Sequence, residues 1–285
     1  MEKDLFGNDI IKDVILREKF IEPPFSVLDT KSGSWQRRKK QWKNLGIKSE
    51  LGRDVSVINM DTISKNQNTT KYTSIFDPAL CEIIYHWFCP KNGSILDPFA
   101  GGSVRGIVAN YLRYKYTGIE LRQEQVDSNR EQGLNILNVN NQPNWYVGDS
   151  NKILDRFTQK YDLVFSCPPY AYLEKYSDLE DDLSNMSYDK FLKIYESIIK
   201  KSCDLLDDGG FACFVVGEFR DNKGNYIGFV PDTIKAFQKC GMHFYNECIL
   251  LNAIASASMR ANGNMKSKKL VKVHQNVLIF RKQND

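Results

Sequence analysis

SILDPFAGGSVRGIVANYLRYKYTGIE, residues 94–120, decides the fold. It opens on a short apolar run, Ile95 and Leu96, that stops at Asp97-Pro98-Phe99 and passes through Gly101 and Gly102. Glycines at such a stop allow a tight turn and a close backbone approach that a Cβ would forbid. IVANYLRY then carries apolar residues at helical spacing, and KYTGIEL is a second apolar, β-branched run that ends on Glu120. Strand, glycine turn, helix and strand make a βαβ unit, and such a unit belongs to a parallel sheet.

The same alternation extends outward on both sides. FDPALCEIIYHWF, residues 76–88, reads as a helix ahead of the unit. Behind it come helix QEQVDSNREQGLNIL, strand NWYVGD, helix NKILDRF and strand YDLVFSCPPY. Helix YDKFLKIYESIIKKSCDLL, turn DDGG, strand FACFVVGEF and helix VPDTIKAFQKC follow, and the apolar runs FYNECILL and HQNVLIF complete the pattern. The expectation is an α/β, Rossmann-like fold whose mostly parallel sheet is covered by helices on both faces. A chain of 285 residues with 42% hydrophobic content can bury one sizeable core, so one domain with extensions is expected. No apolar run approaches the roughly 18 residues that suggest a bilayer span. The segment MEKDLFGNDIIKD lacks the basic-then-apolar layout of a signal peptide, so a soluble, cytoplasmic protein is expected. The seven cysteines are scattered without CxxC spacing, which suggests neither a disulfide framework nor a zinc site.

In an open parallel sheet, ligands sit beyond the carboxyl ends of the strands. Four consecutive strand ends carry polar or glycine-rich chemistry. The first is Asp97 to Ser103, with Phe99, Ala100, Gly101 and Gly102 between them, where Asp97 can accept from a ligand ammonium. The second is Glu120 with Leu121, an acid about twenty residues beyond the glycine turn, as a carboxylate gripping two ribose hydroxyls would be. The third is Asp149 with Ser150, where the carboxylate can accept from an adenine amino group. Each acid alone is more often a turn former or helix cap, but their joint spacing points to a nucleoside-containing cofactor. The fourth strand end is Ser166-Cys167-Pro168-Pro169-Tyr170.

DPFAGGS resembles the DPFxGxG cofactor motif of DNA amino-methyltransferases, and the helix that begins at Phe76 is similar to the one those enzymes place before it to complete the methionine pocket. The resemblance covers residues 75–280 and is strongest at Asp97 to Ser103 and at Ser166 to Tyr170. It implies a class I methyltransferase domain with a seven-stranded sheet, S-adenosylmethionine as cofactor, and the exocyclic amino group of a flipped adenine or cytosine in double-stranded DNA as acceptor. The closing pair of strands is similar to the mixed sheet edge of that fold rather than to a dinucleotide dehydrogenase. The basic N-terminal extension also resembles methyltransferases encoded by bacteriophages and mobile elements, where a restriction nuclease can be a partner.

Each part of the catalytic motif has a physical task. A base amino group is a poor nucleophile because its lone pair is delocalised into the ring. Acceptors aimed at the amine favour the pyramidal geometry in which that lone pair can attack. Two prolines stiffen the loop and remove competing donors, and Tyr170 is placed to stack on a flipped base. The family has Asp, Asn or Ser before the two prolines, whereas this chain has Cys167, a weak acceptor. Three readings stay open: Ser166 supplies the oxygen after a one-residue shift, the Cys167 carbonyl suffices, or Cys167 is a nucleophile. The last would make the chain a pyrimidine carbon-5 methyltransferase, with Glu218 and Arg220 at the next strand end as proton-handling acid and clamp. An ordinary surface ion pair is the plain reading of those two residues. A further alternative is a non-catalytic nucleic-acid-binding protein on the same fold.

The net charge of +4 is mild but uneven. Residues 1–70 are expected to form a basic extension in which Arg37, Arg38, Lys39, Lys40 and Lys43 lie between Trp35 and Trp42. Interleaved cations and aromatics suit phosphates and exposed bases; equally, the segment reads as an amphipathic helix whose tryptophans pack on the domain. Residues 71–285 form the methyltransferase domain. Near residues 252–273, Arg260, Lys266, Lys268, Lys269 and Lys272 mark a loop expected to contact DNA. The acidic stretch after Tyr170 reads as a lid, and His274 as a residue closing a pocket. The oligomeric state stays open, a homodimer being one option.

Overall fold

The computed structural model describes residues 11–47, 76–169, 183, 186–252, 254 and 257–283. Its strands are β1 (Val27–Asp29), β2 (Ser94–Asp97), β3 (Lys115–Glu120), β4 (Asn144–Val147), β5 (Tyr161–Ser166), β6 (Leu206–Val216), β7 (His243–Leu251) and β8 (His274–Arg281). They form one sheet in the order β1-β7-β8-β6-β5-β2-β3-β4. β8 runs antiparallel to both β6 and β7, and the remaining neighbours pair parallel. The helices are α1 (Ile11–Phe20), α2 (Gly33–Asn44), α3 (Pro78–Phe88), α4 (Val104–Tyr111), α5 (Gln123–Ile136), α6 (Ser150–Ile153), α7 (Tyr188–Asp204), α8 (Phe229–Lys239) and α9 (Ala257–Lys266).

Strand residues alternate between two cores because successive side chains leave a strand on opposite faces. Leu163 and Phe165 of β5, with Val277 and Ile279 of β8, join Leu80, Ile107 and Val126 from α3, α4 and α5. Val164, Leu278 and Phe280 join Phe191, Ile198 and Phe237 from α7 and α8 on the other face. This two-sided burial is why the strands read as nearly continuous apolar runs. β3 and β4 lie to one side of β2, while β5 and β6 lie to the other, so the chain reverses direction between β2 and β5. The crevice that such a reversal opens lies beyond Asp97 and Ser166.

Local chemistry fixes the elements beside that crevice. Asp77 caps α3 by accepting from Ala79 N at 3.0 Å, and Pro78 occupies the first turn, where its missing N–H costs nothing. Gly106 brings α4 against β4: a Cβ there would come 2.5 Å from the Trp145 ring.

Three features depart from the sequence reading. The sheet has eight strands rather than seven, because Val27, Leu28 and Asp29 pair with Ile249, Leu250 and Leu251. Residues 27–29 are therefore built into the sheet, whereas the expected boundary near residue 70 lies outside the described residues. Asp207 to Gly210 lie within β6, whose register shifts against β5 there, rather than forming a free turn. The stretch expected as a loop near 252–273 contains α9. Among the described residues, no helix is long and apolar enough to cross a membrane.

Candidate cofactor and catalytic site

The ends of β2 and β5 are tied together beneath the crevice. Asp97 is wholly buried and its oxygens are all engaged. Oδ2 accepts from Arg105 Nε at 2.5 Å and from the Tyr116 hydroxyl at 2.7 Å. Oδ1 accepts from Ser166 Oγ at 2.5 Å and from Phe99 N at 3.1 Å. The Arg105 guanidinium also donates to the carbonyls of Phe99 at 2.6 Å and Ala100 at 2.8 Å, and it lies 4.6 Å over the Phe76 ring. Burial is the largest single influence and opposes the Arg105 charge, but the Asp97 carboxylate and its hydrogen bond, together with Tyr116 and Cys167, outweigh it and hold the guanidinium more firmly protonated than usual. Burial, reinforced by Asp97, pushes the Tyr116 hydroxyl well above the usual tyrosine range.

Asp97 therefore has no acceptor left for a ligand ammonium; it organises the turn instead. Ser166, also wholly buried, gives its hydroxyl hydrogen to Asp97; its oxygen keeps acceptor lone pairs, but none of its surface is open to a ligand. Arg105 was missed by the sequence reading. Its signal was a cation in the first turn of a helix, where the helix dipole disfavours positive charge, amid small apolar neighbours.

The glycine turn is held from two sides. Gly101, at φ 53°, donates its N–H to Glu120 Oε2 at 3.1 Å, and its carbonyl accepts from Asn129 Nδ2 at 2.7 Å. Asn129 is held by Gln125 and Gln125 by Arg122, which in turn ion-pairs with Glu120 at 3.3 Å. Gly102 is half-buried in the turn. Ser103 Oγ is buried with no hydrogen-bond partner among the described residues, an uncompensated polar atom at this turn. Half-buried Leu121 follows Glu120. Ser150 Oγ donates to Pro98 O at 2.5 Å, joining the end of β4 to the same turn. Asp149 caps α6 through Asn151 N at 2.8 Å and lies 3.6 Å from Lys152 Nζ. Phe99 packs at 5.9 Å from Tyr195. The glycine turn, Glu120 and the orphaned Ser103 hydroxyl fit a ribose-bearing ligand.

Cys167 and Pro169 are half-buried beyond β5, and Pro168 is buried. Tyr170 and most of the acidic stretch after it lie outside the described residues. Glu218 accepts from Gly228 N at 3.0 Å and Phe229 N at 2.8 Å, so it caps α8. Arg220 donates to Gly224 O at 2.8 Å and stacks 4.0 Å over Tyr226. Both are occupied with local structure rather than with each other. His274 opens β8 opposite Leu251; burial and then Lys272 lower its pKa.

The basic positions divide. On α2, Trp35 and Trp42 are buried against α3. Trp35 and Lys39 donate to Asp77 at 3.2 and 2.8 Å, while Arg38 and Trp42 donate to Glu82 at 2.6 and 2.7 Å. Arg38 and Lys39 thus fasten α2 to the domain. Arg37 is exposed, as are Arg260, Lys266 and Lys268 on and beside α9, whereas Lys269 is half-buried.

An antiparallel strand slotted between β6 and β7 marks the sheet of class I methyltransferases, and the glycine turn at its reversal point marks where they hold the methyl donor. Within that class, residues 19–131 and 161–285 match the family described as DNA methylase, of the N6/N4 type, and the chain belongs to it. The methyl donor of that family is S-adenosylmethionine, and its members modify exocyclic amino groups. The match begins at residue 19, so the family's own domain takes in β1 and α2.

Among solved structures, TrmN from Thermus thermophilus is 13% identical with a TM-score of 0.47, covering 73% of this chain and 49% of its own. The chain thus spans about half the length of that protein. Magnesium protoporphyrin IX methyltransferase of Synechocystis, solved with S-adenosylmethionine, is 13% identical with a TM-score of 0.42, covering 68% and 71%. A candidate DNA modification methylase, also of Thermus thermophilus, is 21% identical with a TM-score of 0.36, covering 48% and 51%. No curated protein matches the sequence significantly.

Proposed function

We propose that this chain transfers a methyl group from S-adenosylmethionine to the exocyclic amino group of an adenine or a cytosine flipped out of duplex DNA. The observation that carries the reading is the Asp97–Ser166 hydrogen bond, which fixes the Cys167-Pro168-Pro169 loop beside the glycine turn. S-adenosylmethionine, when bound, supplies an electrophilic sulfonium methyl. Glu120 would accept from its ribose hydroxyls, Asp149 with Ser150 would line the adenine end, and Phe76, Gly101, Gly102 and Ser103 would face the methionine end.

With Ser166 wholly buried, the motif's acceptors for the substrate amine are assigned to the Cys167 carbonyl and sulfur. Prolines 168 and 169 stiffen the loop and donate no N–H. Tyr170 is assigned to stacking on the base by its place in the motif. The amine proton passes to solvent or to phosphate after methyl transfer, since no carboxylate is assigned to take it. The carbon-5 alternative loses support because Glu218 caps α8 and Arg220 turns to Gly224 and Tyr226. Arg37 on α2, with Arg260, Lys266, Lys268 and Lys269, would hold phosphates, while Arg38 and Lys39 would not.

The test is to incubate the purified chain with labelled S-adenosylmethionine and duplex DNA, digest to nucleosides and identify the product by mass spectrometry, with Cys167→Ser in parallel. N6-methyladenine or N4-methylcytosine with the variant still active supports the reading and decides the base. Carbon-5 methylcytosine lost in the variant would overturn it.

A further inference from the structure

α9 has no partner within the described chain that accounts for its being a helix. Of its ten residues only Ala257 is buried. A helix shorter than about 12–15 residues is marginal in water unless one face is packed, and Asn262, Gly263 and Asn264 are poor helix formers. Its end, by contrast, is anchored. Ser267 N and Lys269 N both donate to Asn264 O, at 3.1 and 3.0 Å, and Lys268 takes a left-handed φ of 56° that stops the helix. The Lys269 side chain lies directly on Gly224, at φ +92°, where it leaves no room for a Cβ. The helix therefore stands in solvent on a fixed base.

Its surface chemistry is one-sided. Between Leu251 and His274 there are Arg260, Lys266, Lys268, Lys269 and Lys272, and no Asp or Glu. Among these cations, Met259 is 77% exposed, Leu270 71%, Met265 51% and Ile254 48%. Protein interfaces are depleted in lysine, whereas cations flanking bare apolar side chains suit a polyanion with an apolar stacked interior. The position agrees. β7 ends, and β8 begins, at the edge where β2 and β5 end, and β8 is two strands from β5. At about 4.8 Å per strand, the ends of β8 and β7 that flank α9 stand roughly 10–15 Å across the sheet from the end of β5.

We propose that α9 is a DNA-inserting arm: Met259 enters the base stack beside the target nucleotide while Arg260, Lys266 and Lys268 hold the flanking phosphates. The arm rests on the DNA-methylating reading above and adds to it the element that opens the duplex. A flipped base leaves an irregular gap, and an unbranched thioether adapts to fill one. The duplex then covers the helix face that the described residues leave bare.

The experiment compares methyl transfer to duplex and to heat-denatured DNA, which has no stack to open. Met259→Ala is expected to lower the duplex-to-denatured ratio at least 10-fold, with Met259→Leu restoring it to within about 3-fold. Arg260→Ala is expected to lower the slope of log affinity against log salt by about one. A wild-type chain that methylates duplex, with Met259→Ala leaving the ratio as it was, overturns the arm. So does a Met259→Ala variant that turns a dimer into a monomer in light scattering with the ratio unaltered, because α9 would then bind a second copy. If the wild type methylates neither DNA, binding to a duplex with one abasic site separates the two ideas. A 10-fold preference for that duplex over an intact one, lost in Met259→Ala, upholds the arm and removes the reaction; no preference removes both.

Discussion

Ser166 donates its hydroxyl hydrogen to Asp97 across 2.5 Å, with both residues wholly buried, and this bond joins the last residue of β5 to the last residue of β2. The glycine turn and the Cys167-Pro168-Pro169 loop are consequently tied at their roots. If Ser166 itself served as the amine acceptor, Ser166→Ala would lower kcat on the order of 100-fold or more, as loss of an oxyanion-hole donor does elsewhere. The geometry instead predicts a loss of about 1–3 kcal/mol in unfolding free energy, with kcat reduced less than 10-fold. Urea unfolding and single-turnover methylation on one preparation separate the two.

Arg105 is the counter-charge of a carboxylate with no access to water. Arg105→Met should destabilise the fold by about 3–5 kcal/mol, the usual cost of stranding a buried charge, and Asp97→Asn in the same background should recover part of it. Additive losses measured by chemical denaturation would mean that the pair is not coupled.

Glu120 is expected to act on cofactor affinity rather than on the chemical step. Glu120→Gln should raise the KM for S-adenosylmethionine about 10–100-fold, the worth of charged hydrogen bonds of about 1.5–3 kcal/mol, and change kcat only a few-fold. Equal falls in kcat and kcat/KM would place Glu120 in the transition state instead.

Arg37 and Arg38 are adjacent in sequence and differ in role. Arg38→Ala should lower stability and leave the salt slope of DNA binding unchanged, because its guanidinium pairs with Glu82 at 2.6 Å. Arg37→Ala should lower the slope by about one and leave stability within about 0.5 kcal/mol. Fluorescence-anisotropy titrations at several salt concentrations read both. Trp42→Ala should cost about 3–5 kcal/mol, as a large core truncation does.

Burial, with a contribution from Asp162, pushes the Cys89 thiol up to about 12, and burial with Glu247 pushes Cys248 to about 11, from the usual 9.0. The unfolded chain releases these protons first, so folded stability is full below pH 9 and declines as pH rises from there towards 11–12. Urea midpoints in reductant should fall from pH 8 to pH 10.5. A hydrogen bond from Cys203 lowers Cys240, so iodoacetamide at pH 8 should label Cys240 well before buried Cys81 or Cys213.

The sheet class was legible because parallel strands buried on both faces must be apolar throughout, and the glycine turn, Glu120 and Asp149 announce where those strands stop. The two tryptophans of α2 carried an even choice between a DNA-facing segment and a packed helix. Only the tertiary partners Asp77 and Glu82, about forty residues away in sequence, decided it. β1 was invisible because three residues carry too little periodicity to register, and its partner β7 lies some 220 residues further on. Asp97 and Ser166 look in sequence like groups meant for a ligand; their burial against Arg105 and Tyr116 turned them into the frame of the site. Residue type at a strand end tells that a site is there. Which side chains face the ligand depends on which hydrogen bonds the fold has already used, and that is a property of contacts between segments distant in the chain.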